Sequence, residues 1–171
     1  MQEEAFEEAV MLYKDRVHAY ATVMLRDPAE AQDVAQEALV RLWEHRGREE
    51  QRGAKLWLMR TVRNLCIDRI RRVKVRSEVG DGDEVVEAEA DQHTPSPEKL
   101  TESGQLGQVI EDALGALSPQ DRSVIVMREV QGLPYDEIAS ILEMPLGTLK
   151  ARLHRARERL RNRLTRAGVG V

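Results

Sequence analysis

Between Leu146 and Arg166 the chain carries eight lysines and arginines against one carboxylate, Glu158. Guanidinium and ammonium groups are donors without an acceptor, and arginine does not give up its proton. Such a set holds anions; it does not attack or deprotonate a substrate. Leu149, Leu153, Ala156 and Leu160 recur at steps of 4, 3 and 4, the spacing of one buried helical face. Thr148, Lys150, Ala151, Arg152, His154 and Arg155 then fall on the faces left for a polyanion. A second set, the cations Arg60, Arg63, Arg71 and Lys74 together with the neutral Asn64, lies roughly opposite the apolar seam of another helical stretch. Other chemistries find no support. His18, His45, His93 and His154 are scattered without metal-ligand spacing, no carboxylate cluster accompanies them, and no Gly-x-x-x-x-Gly-Lys phosphate loop occurs. No catalytic residue, metal or cofactor is expected.

The whole-chain charge of −4 and the pI near 5.7 hide this pattern. By block, residues 1–50 carry −6, 51–76 +8, 77–104 −8, 105–144 −5 and 145–171 +7. A partner responds to the field within a Debye length of about 8–10 Å, so the basic blocks act locally. Two separate anion-facing surfaces are predicted. The lone cysteine, Cys66, lies in an apolar-periodic stretch and reads as an inert core thiol. No apolar run approaches the roughly 20 residues that span a bilayer, and the acidic N-terminus is unlike a signal peptide. Membrane insertion is not expected, and the protein is placed in the cytoplasm.

The elements that position these residues are read as helices throughout. Phe6, Val10, Tyr13, Val17, Tyr20 and Met24 step by 4, 3, 4, 3 and 4, which predicts a helix over 3–25. Asp27 is placed as the N-cap of a second helix, with Pro28 in its first turn and Glu30 closing a capping box. That helix turns Ala31, Val34, Ala38 and Leu42 inward and shows Asp33, Gln36, Glu37, Val40 and Glu44 outward. After a polar loop, Arg46–Gly53, a third helix runs from Ala54 to about Arg76. Its apolar seam is Leu58, Thr61, Val62, Leu65, Cys66, Ile70 and Val73; Trp57 reads as a core residue.

Residues 77–104 hold nine carboxylates against Lys99, with Gly80, Gly82, Pro95, Pro97 and Gly104. So few large apolar side chains do not offset the entropy of ordering, which predicts an acidic flexible linker. Beyond it, Val109, Ala113, Leu114 and Leu117 mark a short helix. Ser118 caps the next one, and Gly132 closes it as a C′ residue. A helix with Ile138 and Leu142 on one face follows, and Pro145 and Gly147 make the break before the basic helix. Two helices with a tight break, the second basic, form a helix-turn-helix suited to a DNA major groove. The fold class is all-α: two small helical domains, 1–76 and 105–171, joined by the linker 77–104, the second containing the helix-turn-helix.

Two stretches carry a family resemblance. Ser118-Pro119-Gln120-Asp121-Arg122, Gly132 through Ala139, and Pro145 through Arg157 resemble region four of the extracytoplasmic-function sigma factors of bacterial RNA polymerase. Asp27 through Glu37, then Trp57-Leu58, Asn64 and Asp68, resemble that family's region two. The resemblance implies a sigma factor, not an enzyme. It would bind core RNA polymerase, direct promoter recognition and transcription initiation, and contact promoter DNA as duplex and as locally melted strands. Asp33, Gln36, Glu37 and Val40 become a docking surface for core polymerase. Arg60, Arg63, Asn64 and Arg71, with the Arg46–Gly53 loop, are assigned to the −10 element. Thr148, Lys150, Ala151, Arg152, His154 and Arg155 are assigned to the −35 element. An anti-sigma factor is a partner of many members. The chain departs from the pattern at Pro134, where a Ser or Thr cap is usual, and at Ala151, where Ser is frequent. Two alternatives stand beside this reading. A stand-alone regulator would leave the basic stretch 51–76 unexplained, and a recombinase or nuclease would need a metal cluster that the histidines do not supply.

Overall fold

A computed structural model describes residues 3–45, 51–77 and 102–170, and all regular structure among them is helical. Two expectations lie largely outside these residues: the Arg46–Gly53 loop, through 46–50, and the acidic linker, through 78–101.

The first half is three helices, α1 (Glu3–Leu25), α2 (Pro28–Glu44) and α3 (Gln51–Ser77). On α1 the periodic stripe buries Val17, Tyr20 and Met24 completely, and Phe6 and Tyr13 pack beside them. The helix stops at Arg26, whose φ of 57° puts a non-glycine residue in the left-handed region. Asp27 then caps α2: its Oδ1 accepts from Ala29 N at 3.0 Å and Glu30 N at 3.3 Å. The capping box is only half formed, because the Glu30 carboxylate turns to the Arg69 guanidinium of α3. An ion pair across two helices replaces the reach back to the cap N–H.

On α3 the seam departs from expectation in an informative way. Leu58, Val62, Leu65 and Cys66 are buried as expected, but Val73 is 66% exposed because α3 runs on past its neighbours. At about 1.5 Å per residue its 27 residues span roughly 40 Å. Met59 and Ile67 are buried as well. The face of α3 beside the apolar seam is therefore covered, and what covers it is the second half of the chain.

That half comprises α4 (Glu102–Gly115), α5 (Pro119–Ile125), α6 (Tyr135–Leu142) and α7 (Leu146–Arg166). Ser118 caps α5 by accepting from Asp121 N at 3.2 Å. From Val126 to Val130 the α5 helix continues as a π-helical turn, which the sequence does not announce. Gly132 ends it with φ of 66°. No side chain caps α6 at Pro134, as its sequence implies, nor α7 at Pro145. The break between α6 and α7 is built differently from expectation. Glu143 takes the left-handed conformation, φ 52° and ψ 45°, and Gly147 lies inside the first turn of α7. Gly147 is not the turn residue.

One apolar core runs through both halves, from Val17, Tyr20 and Leu58 through Leu114, Val124 and Ile125 to Leu149, Leu153 and Ala156. The two helical groups are in contact rather than held apart.

Candidate nucleic-acid interface

The buried stripe of α7, Leu149, Leu153, Ala156 and Leu164, fixes which of its faces remains outside. Thr148, Lys150, Ala151, His154 and Arg155 are exposed, and Arg152 is half-buried. Other cations on the helix are engaged within the chain. Arg157 Nε donates to Glu129 at 2.6 Å, and Arg159 pairs with the buried Asp121 carboxylate. These two arginines hold α7 against α5 and its π turn. His154 sits 3.4 Å from Glu158 one turn on, at the edge of the exposed row. The uncapped start of α7 leaves its first N–H groups open to a phosphate oxygen.

The residues assigned to the second basic surface do not form one open face. Arg63, Asn64 and Arg71, with Ile67 and Asp68 on α3 and Gln120 on α5, line a cavity of about 310 Å³ between the two halves. Asn64 and Arg71 are exposed, and Arg63 is half-buried with its Nε unpaired. Burial lowers the Arg63 pKa, and the nearby cations Arg152 and Arg71 push it further down. Arg152 of α7 thus adds to the positive field at Arg63 of α3. Arg60 is drawn away from the cavity. Its Nη2 donates to Ser140 O at 2.7 Å and its Nε to Ile141 O at 3.3 Å, with Glu143 at 3.4 Å.

On α2, Asp33, Gln36 and Val40 form an exposed row, Val40 at 50% exposure. Glu37 is different. It takes a 2.6 Å bond from Arg41 and a 3.5 Å contact from Arg69, which ties it to the α2–α3 junction.

Two residues that matter to the arrangement were not singled out from the sequence. Arg122 is buried, and its guanidinium gathers carbonyls from α1, α4 and the turn after α4. Tyr20, read only as core, bonds Ser123 Oγ at 2.8 Å across the two halves. The available signal was Arg122 itself, a charge running straight into the apolar stretch Val124–Met127. Among the described residues no group of His, Cys, Asp and Glu assembles a metal cluster, and no helix is long and apolar enough to cross a membrane.

Cys66 is fully buried, and burial pushes its thiol up to about 12. Since the thiolate is the reactive form, a disulfide-exchange reagent at about pH 8 should leave the folded chain unmodified. One equivalent should react on adding denaturant; reaction at the same rate without denaturant would mean that the seam opens readily at Cys66.

Comparison with known proteins gives two family matches, Sigma-70 region 2 over residues 9–76 and Sigma-70 region 4 over residues 107–160. The ECF RNA polymerase sigma factor SigW of Bacillus subtilis is 34% identical over 168 residues, covering 95% of this chain and 90% of SigW. The ECF sigma factor SigE of Mycolicibacterium smegmatis is 30% identical over 165 residues; the match covers 95% of this chain and 62% of SigE. Among solved structures, the sigma factor RpoE of Bartonella quintana, in complex with the anti-sigma factor NepR, aligns with a TM-score of 0.69. Identity there is 26%, over 94% of this chain and 96% of RpoE.

Proposed function

Because this chain belongs to the extracytoplasmic-function sigma factors, and so serves promoter recognition and transcription initiation with RNA polymerase, we propose a division of labour among its surfaces. Residues 1–76 act as one unit, 105–171 as another, and 77–104 as the tether between them. The outer side of α7, with the exposed Thr148, Lys150, Ala151, His154 and Arg155 and the half-buried Arg152, enters the major groove of the −35 element. Arg60, Arg63, Asn64 and Arg71 on α3 contact the −10 element, where one strand leaves the duplex. Asp33, Gln36 and Val40 on α2 dock on core polymerase, with Glu37 at the margin. Strand separation is driven by binding energy, and the chain is not itself an enzyme. Its place of work is the cytoplasm, and an anti-sigma factor is a partner, by analogy with the RpoE–NepR complex.

The observation that carries this reading is the outer row of α7: Lys150 and Arg155 are exposed and without an ion pair among the described residues, while Arg157 and Arg159 are spent on internal pairs. A groove-reading helix needs free donors on one side and an anchored stripe on the other. Transcription from genomic fragments with core polymerase, followed by start-site mapping, tests it. Starts preceded by a shared pair of elements are expected, and no initiation on any fragment would overturn the reading.

The docking surface has its own test. Asp33→Arg combined with Val40→Arg should weaken core-polymerase binding by roughly tenfold or more, because it reverses one charge and removes an apolar contact. Both side chains are exposed, so the thermal midpoint of the isolated chain should stay where it is. Unchanged polymerase affinity would remove the assignment. Glu37 is left intact because replacing it would also break its contacts with Arg41 and Arg69.

A further inference from the structure

Along α3, Arg63, Ile67 and Arg71 recur every four residues, and Asn64 and Asp68 stand beside them, so these side chains share one face of the helix. With Gln120 from the first turn of α5 they line the cavity of about 310 Å³. That volume is near the lower end of the roughly 300–1,000 Å³ of small-molecule sites. It has room for a small molecule and none for a duplex.

The donors around it are not used up by the protein. Arg63 Nε is buried without a hydrogen-bond partner, and Arg71 is exposed and in no ion pair among the described residues. Arg63 Nη1 donates to Asn64 Oδ1 at 3.2 Å, and the amide N–H groups of Asn64 remain donors. The Gln120 amide adds further donors. Two guanidiniums, under the added field of Arg152, face one carboxylate, Asp68, and an anion relieves that excess of positive charge.

Two features narrow the anion. Arg63 and Arg71 leave the helix about 12 Å apart along its axis, eight residues at roughly 1.5 Å each, more than a single phosphate group spans. Asp68, between them in sequence, accepts hydrogen bonds and repels phosphate, so the ligand must bring a donor of its own to that point. A ribose diol or a base amino group does so; a bare polyphosphate has little to give. The buried Ile67 adds an apolar contact for a ring.

We propose that this cavity binds a nucleoside phosphate of about nucleoside diphosphate size, with its phosphates on Arg63 and Arg71 and its sugar or base held by Asp68, Asn64 and Gln120. The site does not rest on the promoter reading. It shares Arg63, Asn64 and Arg71 with the proposed −10 surface, but it also needs Gln120, which that surface does not use.

Calorimetric titration of the full chain, free of magnesium and at fixed ionic strength, tests it. The probes are ADP, pyrophosphate, inorganic phosphate and a single-stranded DNA oligonucleotide. ADP should bind at least tenfold more tightly than inorganic phosphate, and more tightly than pyrophosphate. Gln120→Glu puts a second carboxylate in the cavity, in a helical first turn that favours negative charge. It should weaken ADP by tenfold or more, with the thermal midpoint of the unliganded chain at or above that of the parent. Asp68→Asn should narrow the preference for ADP over pyrophosphate, because the charge that repels phosphate and attracts hydroxyl donors is gone. ADP no tighter than inorganic phosphate overturns the proposal, and so does ADP binding that both variants leave unchanged. Binding of the oligonucleotide alone assigns these donors to a nucleic-acid strand and overturns it too, with the promoter reading intact. If ADP binds as expected but Arg71→Ala initiates at the parent level, the −10 role of Arg71 fails while the nucleotide site stands.

Discussion

Arg122→Leu is expected to lower the unfolding free energy by roughly 3 kcal/mol, read as a fall in the urea midpoint at unchanged slope. Arg122 is 7% exposed. Nε donates to Leu114 O at 3.0 Å and Nη1 to Met24 O at 2.6 Å. Nη2 donates to Gly115 O at 2.8 Å and Leu117 O at 3.3 Å. Among the described residues no carboxylate pairs with it; its partners are carbonyls near the ends of α1 and α4, where orphan acceptors and negative dipole ends coincide. Burial pushes its pKa down, and Arg26 nearby pushes it further, yet a guanidinium keeps its proton. Leucine leaves these carbonyls without donors. Each bond to a charged group is worth about 1.5–3 kcal/mol, and the total is discounted because burying the guanidinium costs desolvation. Arg122→Lys should recover only part of the loss, since three donors on a point charge do not match a planar fork. A change under about 0.5 kcal/mol for Arg122→Leu would mean that water reaches the carbonyls and the site is looser than its burial implies.

Arg152→Ala is expected to weaken holoenzyme binding to a matched promoter by about 1–3 kcal/mol and to relax base preference at one −35 position. A base-edge contact is lost. Arg155→Ala supplies the comparison, because Arg155 is exposed and has no ion pair among the described residues. Uniform weakening across sequences, with a salt slope shallower by about 1, would mark Arg155 as a phosphate contact. Equilibrium binding of holoenzyme at several salt concentrations reads both variants. If Arg152→Ala weakens every sequence equally, it is a positioning contact and not a reader.

Much of the fold is written in local patterns. The stripes of α1, α2 and α7, the Asp27 and Ser118 caps and the Gly132 stop each follow from residues within a turn or two of one another. The sequence was less informative wherever a remote partner decides the outcome. Glu30 fits a capping box, but Arg69, 39 residues away, takes it. Met59 and Ile67 look like the flank of an amphipathic helix until α5 and α6 cover them. Gly147 fits a turn, yet Glu143 accepts the left-handed backbone while glycine serves in a helix. The same limit applies to the candidate site. The exposed row on α7 is legible because its buried complement is local. The fate of Arg60 is not, since nothing near it in sequence refers to the carbonyls 80 residues on.

The π turn at Val126–Val130 has a consequence for how this chain tolerates changes in length. Such a turn holds one residue more than the α ladder requires. Removing Val130, which is 54% exposed, would let the backbone close into ordinary i→i−4 bonding with the flanking segments still in phase. An omission that would throw a regular α-helix out of register becomes, at this turn, a near-silent deletion.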